Sequence, residues 1–198
     1  SATYSLRMAS NIPVGAYHAC KVLTDHSLKC WGYNAFGQLG DGTAVDKLTP
    51  TAITSVSNST GLPGTMGYFH SCTLESGGGV QCWGYNGFGQ LGDGTTTNRT
   101  NPVAVSGLTN VVSLGSAFLH NCATLADGTV QCWGYNANGQ LGDGTTTNRS
   151  TPVAVPGIST ATAAAPAIYH SCALLAAAPP TCWGHTPTGA LGHHPPPA

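Results

Sequence analysis

The sequence predicts an all-β fold: a β-propeller of four blades, each about 50 residues long, with disulfides inside the blades. Three observations predict it. The segment CWGYNGFGQLGDGTTTNRT at 82–100 recurs almost unchanged at 132–150, in a weaker copy from Cys30 and in an eroded copy from Cys182. The eight cysteines form four pairs, with partners ten positions apart. Each unit contains short strand patterns with glycine and aspartate at the turns, which is typical of a propeller blade.

The third unit shows the strand patterns most clearly. It contains an apolar run, two alternating segments and a run with β-branched residues, at 110–116, 120–125, 129–136 and 151–155. No segment has convincing helical periodicity. We therefore divide a single domain into units at about 8–56, 57–105, 106–155 and 156–198.

The hairpin turn in this unit predicts how the cysteines meet. If a three-residue loop ends with Gly128 in the left-handed conformation, Cys122 faces Cys132 directly across the two strands. Their Cβ atoms then lie at a separation that suits a disulfide. The same spacing places His26 at the left-handed position in unit one, and it predicts a different turn in unit four, where Ala178 is a poor residue for that position.

The eight cysteines are therefore predicted to form one disulfide in each blade: Cys20–Cys30, Cys72–Cys82, Cys122–Cys132 and Cys172–Cys182. Free thiols are one alternative. A metal site of one histidine and two cysteines per unit is another, but zinc would need a fourth ligand and C-x-x-C spacing is absent. We predict no metal and no cofactor. The repeated histidines are interpreted as packing between blades, with their rings bonded to backbone: His18, His70, His120 and His170.

These residues also resemble a known family. The pattern G-x-x-H-x-C-x-L, then D-G-x-V-x-C-W-G-x-N-x-x-G-Q-L-G-D-G, then P-V-x-V is similar to the regulator of chromosome condensation repeat, in the cysteine-bearing form common in secreted bacterial proteins. The match covers nearly the whole chain, although unit four lacks the Asn, Gln and Asp positions. The resemblance implies a β-propeller, usually of seven blades, where this chain has four units.

The family resemblance also bears on function. Its nuclear namesake is a nucleotide-exchange factor that acts on a small GTPase and docks on chromatin, but this chain lacks basic segments for chromatin. A secreted β-lactamase inhibitor is similar in repeat type, which implies a rigid surface for binding proteins. We predict a secreted, non-enzymatic module for extracellular protein binding or structural assembly. The alternatives are a carbohydrate-binding propeller and a subunit of a strand-exchanged extracellular filament.

Composition and motifs argue against several other functions. With 7% charged residues and a net charge of −1, the chain lacks the electrostatic basis for binding nucleic acid or a membrane surface. No apolar run of about 18 residues predicts membrane insertion. No catalytic motif such as G-x-S-x-G or H-E-x-x-H is present. Asp41, Asp93 and Asp143 occupy the same position of three units and are interpreted as turn caps, so we do not expect an enzyme.

Two sets of surface residues remain as candidate sites. The four tryptophans are expected to be buried between blades, which leaves other rings as a candidate ligand surface for protein or glycans: Tyr33, Phe36, Tyr85, Phe88 and Tyr135. Three asparagines lie in N-x-[ST] sequons and are candidate glycosylation sites: Asn58, Asn98 and Asn148.

The first residues, 1–7, are expected to form a closing strand. By the repeat spacing, 2–7 falls where the fourth strand of a blade belongs, and unit four stops before such a strand. We expect this strand to complete the last blade, either within the chain or by self-association with a neighbouring chain. A third possibility is that the 198 residues are a piece of a longer propeller.

Thiol titration of the unfolded, unreduced protein should find almost no free cysteine, because all eight are predicted to be paired. An even, regularly paired set also indicates an oxidising, extracellular compartment. Eight reactive thiols would contradict both the disulfides and the compartment.

Overall fold

The computed structural model describes residues 12–62 and 66–185, and the regular structure in these ranges is entirely β. They contain no helix, and so none that could cross a membrane. The strands, in chain order, are β1 (His18–Val22), β2 (Leu28–Gly32), β3 (Lys47–Ala52), β4 (Ser59–Gly61), β5 (His70–Glu75), β6 (Val80–Gly84), β7 (Arg99–Ala104), β8 (Val111–Ser116), β9 (His120–Leu125), β10 (Val130–Gly134), β11 (Arg149–Ala154), β12 (Ala161–Pro166), β13 (His170–Leu175) and β14 (Thr181–Gly184).

The strands form four antiparallel sheets, one from each repeat. Within each sheet the strands lie side by side in chain order: β1–β3 in sheet I, β4–β7 in sheet II, β8–β11 in sheet III and β12–β14 in sheet IV. Contacts between sheets also follow the chain, from I to II, from II to III and from III to IV. This is the predicted four-bladed propeller. The expected closing strand at 2–7 lies outside the described residues.

The hairpin turns follow the predicted geometry. Gly128 has φ 81° and His26 has φ 64°, so both occupy the left-handed position. The Gly128 N–H donates to the Leu125 carbonyl (2.9 Å), which closes the three-residue loop. Ala178 does not adopt this conformation, and β14 begins only at Thr181, so the turn of unit four differs as expected.

All eight cysteines are paired within their blades. The register places each pair directly opposite across the central hairpin, and the bonds are Cys20–Cys30, Cys72–Cys82, Cys122–Cys132 and Cys172–Cys182. The described chain contains no free cysteine. The outermost strand of sheet III, β11, begins at Arg149, two residues before the predicted start at 151. Its pairing with β10 continues past a bulge, so that Gly134 pairs with Arg149.

Neighbouring sheets are joined through a loop carbonyl. The Gln38 carbonyl, in the loop after β2, accepts hydrogen bonds from Trp83 Nε1 (2.9 Å) and Ser71 Oγ (2.8 Å) of sheet II. Leu39 is fully buried in the same cluster as Trp83. A Cβ on Gly40 would lie 2.7 Å from Trp83 Nε1, so only glycine fits there.

The next two interfaces repeat this arrangement. The Gln90 carbonyl accepts bonds from Asn121 and Trp133, and the Gln140 carbonyl accepts bonds from Ser171 and Trp183, at 2.7 to 3.0 Å. The expected burial of the tryptophans is confirmed for Trp83, Trp133 and Trp183. It is wrong for Trp31, which is only partly buried because no described loop covers it.

An asparagine holds each of these loops in shape. Asn86 Nδ2 donates to the carbonyls of Thr95 and Thr97 (both 3.1 Å), and its Oδ1 accepts a bond from the Leu91 N–H. Asp93 accepts a bond from the Thr95 N–H (3.0 Å) and pairs with Arg99 (2.7 Å), which agrees with its predicted role as a turn cap. Burial alone raises the pKa of Asp93, but the bonds from Thr95 and Arg99 hold it below its usual value.

Ser71→Ala should destabilise the fold by about 1–3 kcal/mol, because it removes one bond to the Gln38 carbonyl and leaves His18 Nε2 buried without a partner. Denaturant unfolding measures the change. Ser106→Ala is the control, since Ser106 is exposed and its side chain makes no hydrogen bond in the described chain. Equal midpoints for the two variants would show that the carbonyl contact does not hold the sheets together.

Candidate functional site: an aromatic end of the propeller

Large side chains meet where the central hairpin of each sheet opens. The residue before each repeated histidine lies across from the residue that follows C-W-G, and a backbone bond joins them. Tyr33 N–H donates to the Tyr17 carbonyl (2.9 Å). The same bond joins Tyr85 to Phe69, Tyr135 to Leu119 and His185 to Tyr169. These positions lie opposite the hairpin turn, so all four pairs occupy the same end of their sheets.

Nine rings at this end form one continuous group, which we call the aromatic cluster. Tyr17 stacks on Phe69, with centroids 5.9 Å apart and planes at 16°. Phe36, from the loop of unit one, lies 5.2 Å from Tyr85 of unit two. Contacts of this kind carry the cluster across sheets I, II and III. Its members are Tyr17, Tyr33, Phe36, Tyr68, Phe69, Tyr85, Phe88, Phe118 and Tyr135.

The cluster contains all five residues of the predicted ligand surface, namely Tyr33, Phe36, Tyr85, Phe88 and Tyr135. That they bind a ligand stays a prediction. Sequence reasoning missed four members: Tyr17, Tyr68, Phe69 and Phe118. They occupy the two positions before the repeated histidines, in AYH, YFH and FLH, and IYH stands at the same place in unit four. Recurring large apolar residues just before a strand were the signal that could have identified them.

The rings enclose a small concave site in the first two sheets. A cavity of about 360 Å³ is lined by Tyr17, Tyr33 and Phe69, none of which is charged. Tyr17 is 57% exposed, so the cavity wall is accessible. In the loop of unit three, Asn138 stands where units one and two have a phenylalanine, and the chain of ring contacts ends at Tyr135.

The candidate glycosylation sites are exposed, and two of them also close their loops. The Asn98 and Asn148 side chains accept 2.8 Å bonds at Oδ1 from the Asn86 and Asn136 N–H groups. Asp46 does the same in unit one. An N-linked glycan is attached through Nδ2 and leaves this Oδ1 bond intact, so modification at these sequons stays a prediction.

A row of buried histidines lies directly behind the cluster. Ser71 Oγ donates to the Gln38 carbonyl, so it accepts its 2.8 Å bond from the His18 Nε2–H. His70 bonds Asn121 Oδ1, and His120 bonds Ser171, in the same way. The predicted role in packing between blades is confirmed for His18, His70 and His120, but their partner is a side chain of the next sheet and not backbone. No such bond is described for His170.

Burial makes these histidines neutral. It lowers the pKa of His18 and His70 to about 4 and that of His120 to about 3, with a smaller contribution from the neighbouring histidines at His18 and His120. The alternative metal site is not formed, since the cysteines are bonded to each other. Across residues 12–62 and 66–185, no three His, Cys, Asp or Glu side chains are grouped to hold a metal ion.

Comparison with known families identifies the repeat. The Regulator of chromosome condensation (RCC1) repeat matches residues 25–74, 77–123 and 127–174, and a second model of this repeat matches 11–38 and 111–140. The chain belongs to the RCC1 repeat family.

Individual RCC1-type proteins are similar over part of their length. The Ultraviolet-B receptor UVR8 of Arabidopsis thaliana is 34% identical over 96 residues, which are 48% of this chain and 22% of the receptor. The structure of human WBSCR16 is also similar (TM-score 0.77, 22% identity). The match covers 90% of this chain and 48% of the WBSCR16 chain. For Prp20p of Saccharomyces cerevisiae (TM-score 0.78, 21% identity), the match covers 93% of this chain and 47% of the Prp20p chain. That structure is described with the binding properties of Prp20p to Gsp1p and histones. A further structure shows Kap60 bound to this yeast RCC1 protein (TM-score 0.73, 20% identity, 87% and 43% covered).

These solved structures share the fold with this chain. The chain spans about half the length of each and about a fifth of the length of the plant receptor.

We expect the RCC1 repeats to lose stability as the pH falls from about 6.5 to 4.5. An unfolded histidine titrates near 6.5, whereas His18 and His70 titrate at about 4 in the fold. In this window the unfolded chain binds more protons, so the free energy of unfolding decreases with decreasing pH and levels off below the folded pKa values.

Urea unfolding at a series of pH values measures this slope. His70→Gln replaces a titrating donor by a non-titrating one and should make the slope shallower, whatever its effect on the midpoint. His26→Asn, at an exposed turn, controls for the loss of a histidine as such. A wild-type slope in His70→Gln would show that His70 does not carry the pH dependence.

Proposed function

We propose that this RCC1-repeat propeller is a secreted, non-enzymatic module that binds a protein outside the cell through its aromatic cluster. The cluster itself is the observation that supports this most directly. Nine uncharged rings form one continuous group that crosses three sheets, in which Tyr17 is exposed and the other eight rings are partly exposed. Aromatic side chains are enriched at protein interfaces and dominate their energetic centres. Contiguous exposed apolar patches commonly mark such sites.

The rigidity of the support favours binding further. Each ring pair extends a strand hairpin that is closed by a disulfide a few residues away, as in Tyr17, Tyr33 and the Cys20–Cys30 bond. A surface that is ordered before binding loses little conformational entropy when a partner docks. Yeast Prp20p, which is described as binding Gsp1p and histones and is also seen with Kap60, supports protein binding as a use of this fold.

A non-enzymatic role is supported by how the ionisable groups are used. Asp93 is paired with Arg99, and His70 is buried against Asn121. The cavity at the cluster is lined by Tyr17, Tyr33 and Phe69, so no carboxylate or imidazole is among its lining residues. General acid–base or nucleophilic chemistry would need such a group within reach of the bound molecule.

The extracellular location is supported by the cysteines. Four disulfides in 198 residues are typical of proteins from oxidising compartments and rare in the cytosol. Glycosylation at Asn58, Asn98 and Asn148 would fit the same location, since all three side chains are exposed. Assembly into a filament through the N-terminal strand depends on residues 2–7, which lie outside the described residues.

Carbohydrate binding is the second candidate. The exposed Tyr17 ring and the adjoining cavity favour it, because sugars can stack on aromatic faces. Trp83, Trp133 and Trp183 are buried, so these large rings are not available to stack on a sugar. Much of the remaining ring surface is occupied by neighbouring rings in edge-to-face contacts. We therefore rank a protein partner first.

The double variant Tyr17→Ser/Tyr68→Ser should lose at least about tenfold in affinity for the protein partner, since aromatic hot spots contribute more than 1 kcal/mol each. The wild-type protein is immobilised to capture proteins from the medium and cell surface of the source organism. The captured protein is then purified, and its affinity is measured by calorimetry. Leu174→Ser is the control, because Leu174 is 54% exposed on β13, away from the cluster.

Three results would overturn parts of the proposal. Equal affinity of wild type and Tyr17→Ser/Tyr68→Ser would remove the aromatic cluster as the site. Micromolar binding on a glycan array that is lost in this variant, without a protein partner, would establish the carbohydrate alternative. Turnover of a substrate by the purified protein would contradict the non-enzymatic role.

A further inference from the structure

Three rings meet at the cavity between sheets I and II. The ring centroids of Tyr17, Tyr33 and Phe69 lie 5.9 to 6.2 Å from one another. The planes of Tyr17 and Phe69 are nearly parallel, at 16°, whereas the Tyr33 plane is tilted from them by 68° and 54°. An ion seated among these rings can therefore lie within about 6 Å of all three centroids, which is the range of a cation–π contact.

The next junction of sheets lacks this set of rings. Phe69 and Tyr85 are equivalent there to Tyr17 and Tyr33, but the third position is Leu119. Leu119 also occupies one of the three positions at the junction of sheets III and IV. Among the described sheets, only the junction of sheets I and II has rings at all three positions.

A carboxylate lies close to this cavity. Asp46 Oδ1 accepts a 2.8 Å bond from the Asn34 N–H, which is one residue along the backbone from Tyr33. In units two and three the same bond is accepted by the neutral side chains of Asn98 and Asn148. The negative charge at this position is thus found in the unit that also lines the three-ring cavity.

No described cation neutralises this carboxylate. Lys47, the next residue along the chain, pairs with Asp41 at 3.2 Å. Within residues 12–62 and 66–185, Asp46 forms no ion pair, and its side chain is exposed. The cavity therefore combines uncharged rings, whose faces carry partial negative charge, with a full negative charge nearby. Both features favour a positively charged occupant.

We propose that the cavity at Tyr17, Tyr33 and Phe69 takes an arginine side chain of the protein partner, with Asp46 providing the attraction at longer range. This inference rests on the proposed function, since it names the chemical group of the partner that the aromatic cluster binds. A guanidinium is planar, stacks on aromatic faces and is more weakly hydrated than an ammonium. It therefore suits a site with two nearly parallel rings and a third ring as a wall better than lysine does.

A pair of short peptides tests the charge of the occupant without the natural partner. Acetyl-Gly-Arg-Gly-amide carries the guanidinium, and acetyl-Gly-citrulline-Gly-amide carries a urea of the same shape without the charge. Each is titrated into the wild-type protein, and the chemical shifts of the Tyr17, Tyr33 and Phe69 ring protons are followed by NMR. We expect the arginine peptide to bind about twofold to fivefold more tightly, as one exposed cation–π site allows.

Tyr33→Leu tests the rings, because leucine keeps the cavity wall apolar but removes the aromatic face. The arginine peptide should then bind no better than the citrulline peptide. Val112→Leu, on β8 and outside the aromatic cluster, is the control and should keep the wild-type preference.

Asp46→Asn tests the carboxylate in a fold that stays intact, because Asn98 shows that an asparagine makes the same loop bond. The arginine peptide should bind about twofold more weakly at low ionic strength, and the difference should disappear at high salt. Asp127→Asn removes the same charge at the hairpin turn of sheet III, where Asp127 is exposed, and should leave the affinity unchanged.

The contrary results are distinct. Equal affinity for the two peptides in the wild type, or no shift at the three rings with either peptide, would overturn the proposal. Equal affinity of the wild type and Asp46→Asn at low salt would remove Asp46 from the site. These measurements use no natural partner, so their failure leaves protein binding to be decided separately by the Tyr17→Ser/Tyr68→Ser variant.

Discussion

A single backbone carbonyl per loop, shared by two donors of the next sheet, holds this propeller together. A carbonyl oxygen has two lone pairs, so the Gln38 carbonyl can accept both the Trp83 and the Ser71 hydrogen bonds. The tryptophan can reach it only because Gly40 leaves room beside the indole ring. The buried leucines, the histidine row and the spacing of the sheets all depend on this contact. The residue that carries this carbonyl is also constrained, because Gln38 is fully buried and its Oε1 accepts a 3.0 Å bond from the Phe36 N–H.

The loops separate two physical tasks. Residues such as Asn86 and Asp93 bond inside their own loop and hold its shape, so the carbonyl is already placed when it meets the next sheet. Leu91 and Gly92 make the contact itself. In unit four the substitutions fall on the first group, while the leucine and glycines of the second are retained.

The same strands connect the buried network to the surface. Tyr17, directly before β1, joins the aromatic cluster, while the next residue, His18, is buried against Ser71. The histidine row thereby fixes the strand ends from which the rings project. A rigid, uncharged aromatic surface follows from the packing between blades and needs no dedicated loop. This arrangement suits a binding module, in which an ordered surface limits the entropy lost on docking.

The sequence by itself determined the blades. The repeat spacing, the hairpin turn at Gly128 and the pairing of Cys122 with Cys132 were all predicted, because turn length and two-residue periodicity set the register within a hairpin. Five rings of the aromatic cluster were also predicted from the repeat.

Only the tertiary structure decided which residues of different blades meet. It stacked Tyr17 on Phe69 and left Leu48 exposed where Thr100 is covered. The distance and angle between neighbouring sheets determine these contacts, and no local pattern within one unit encodes them.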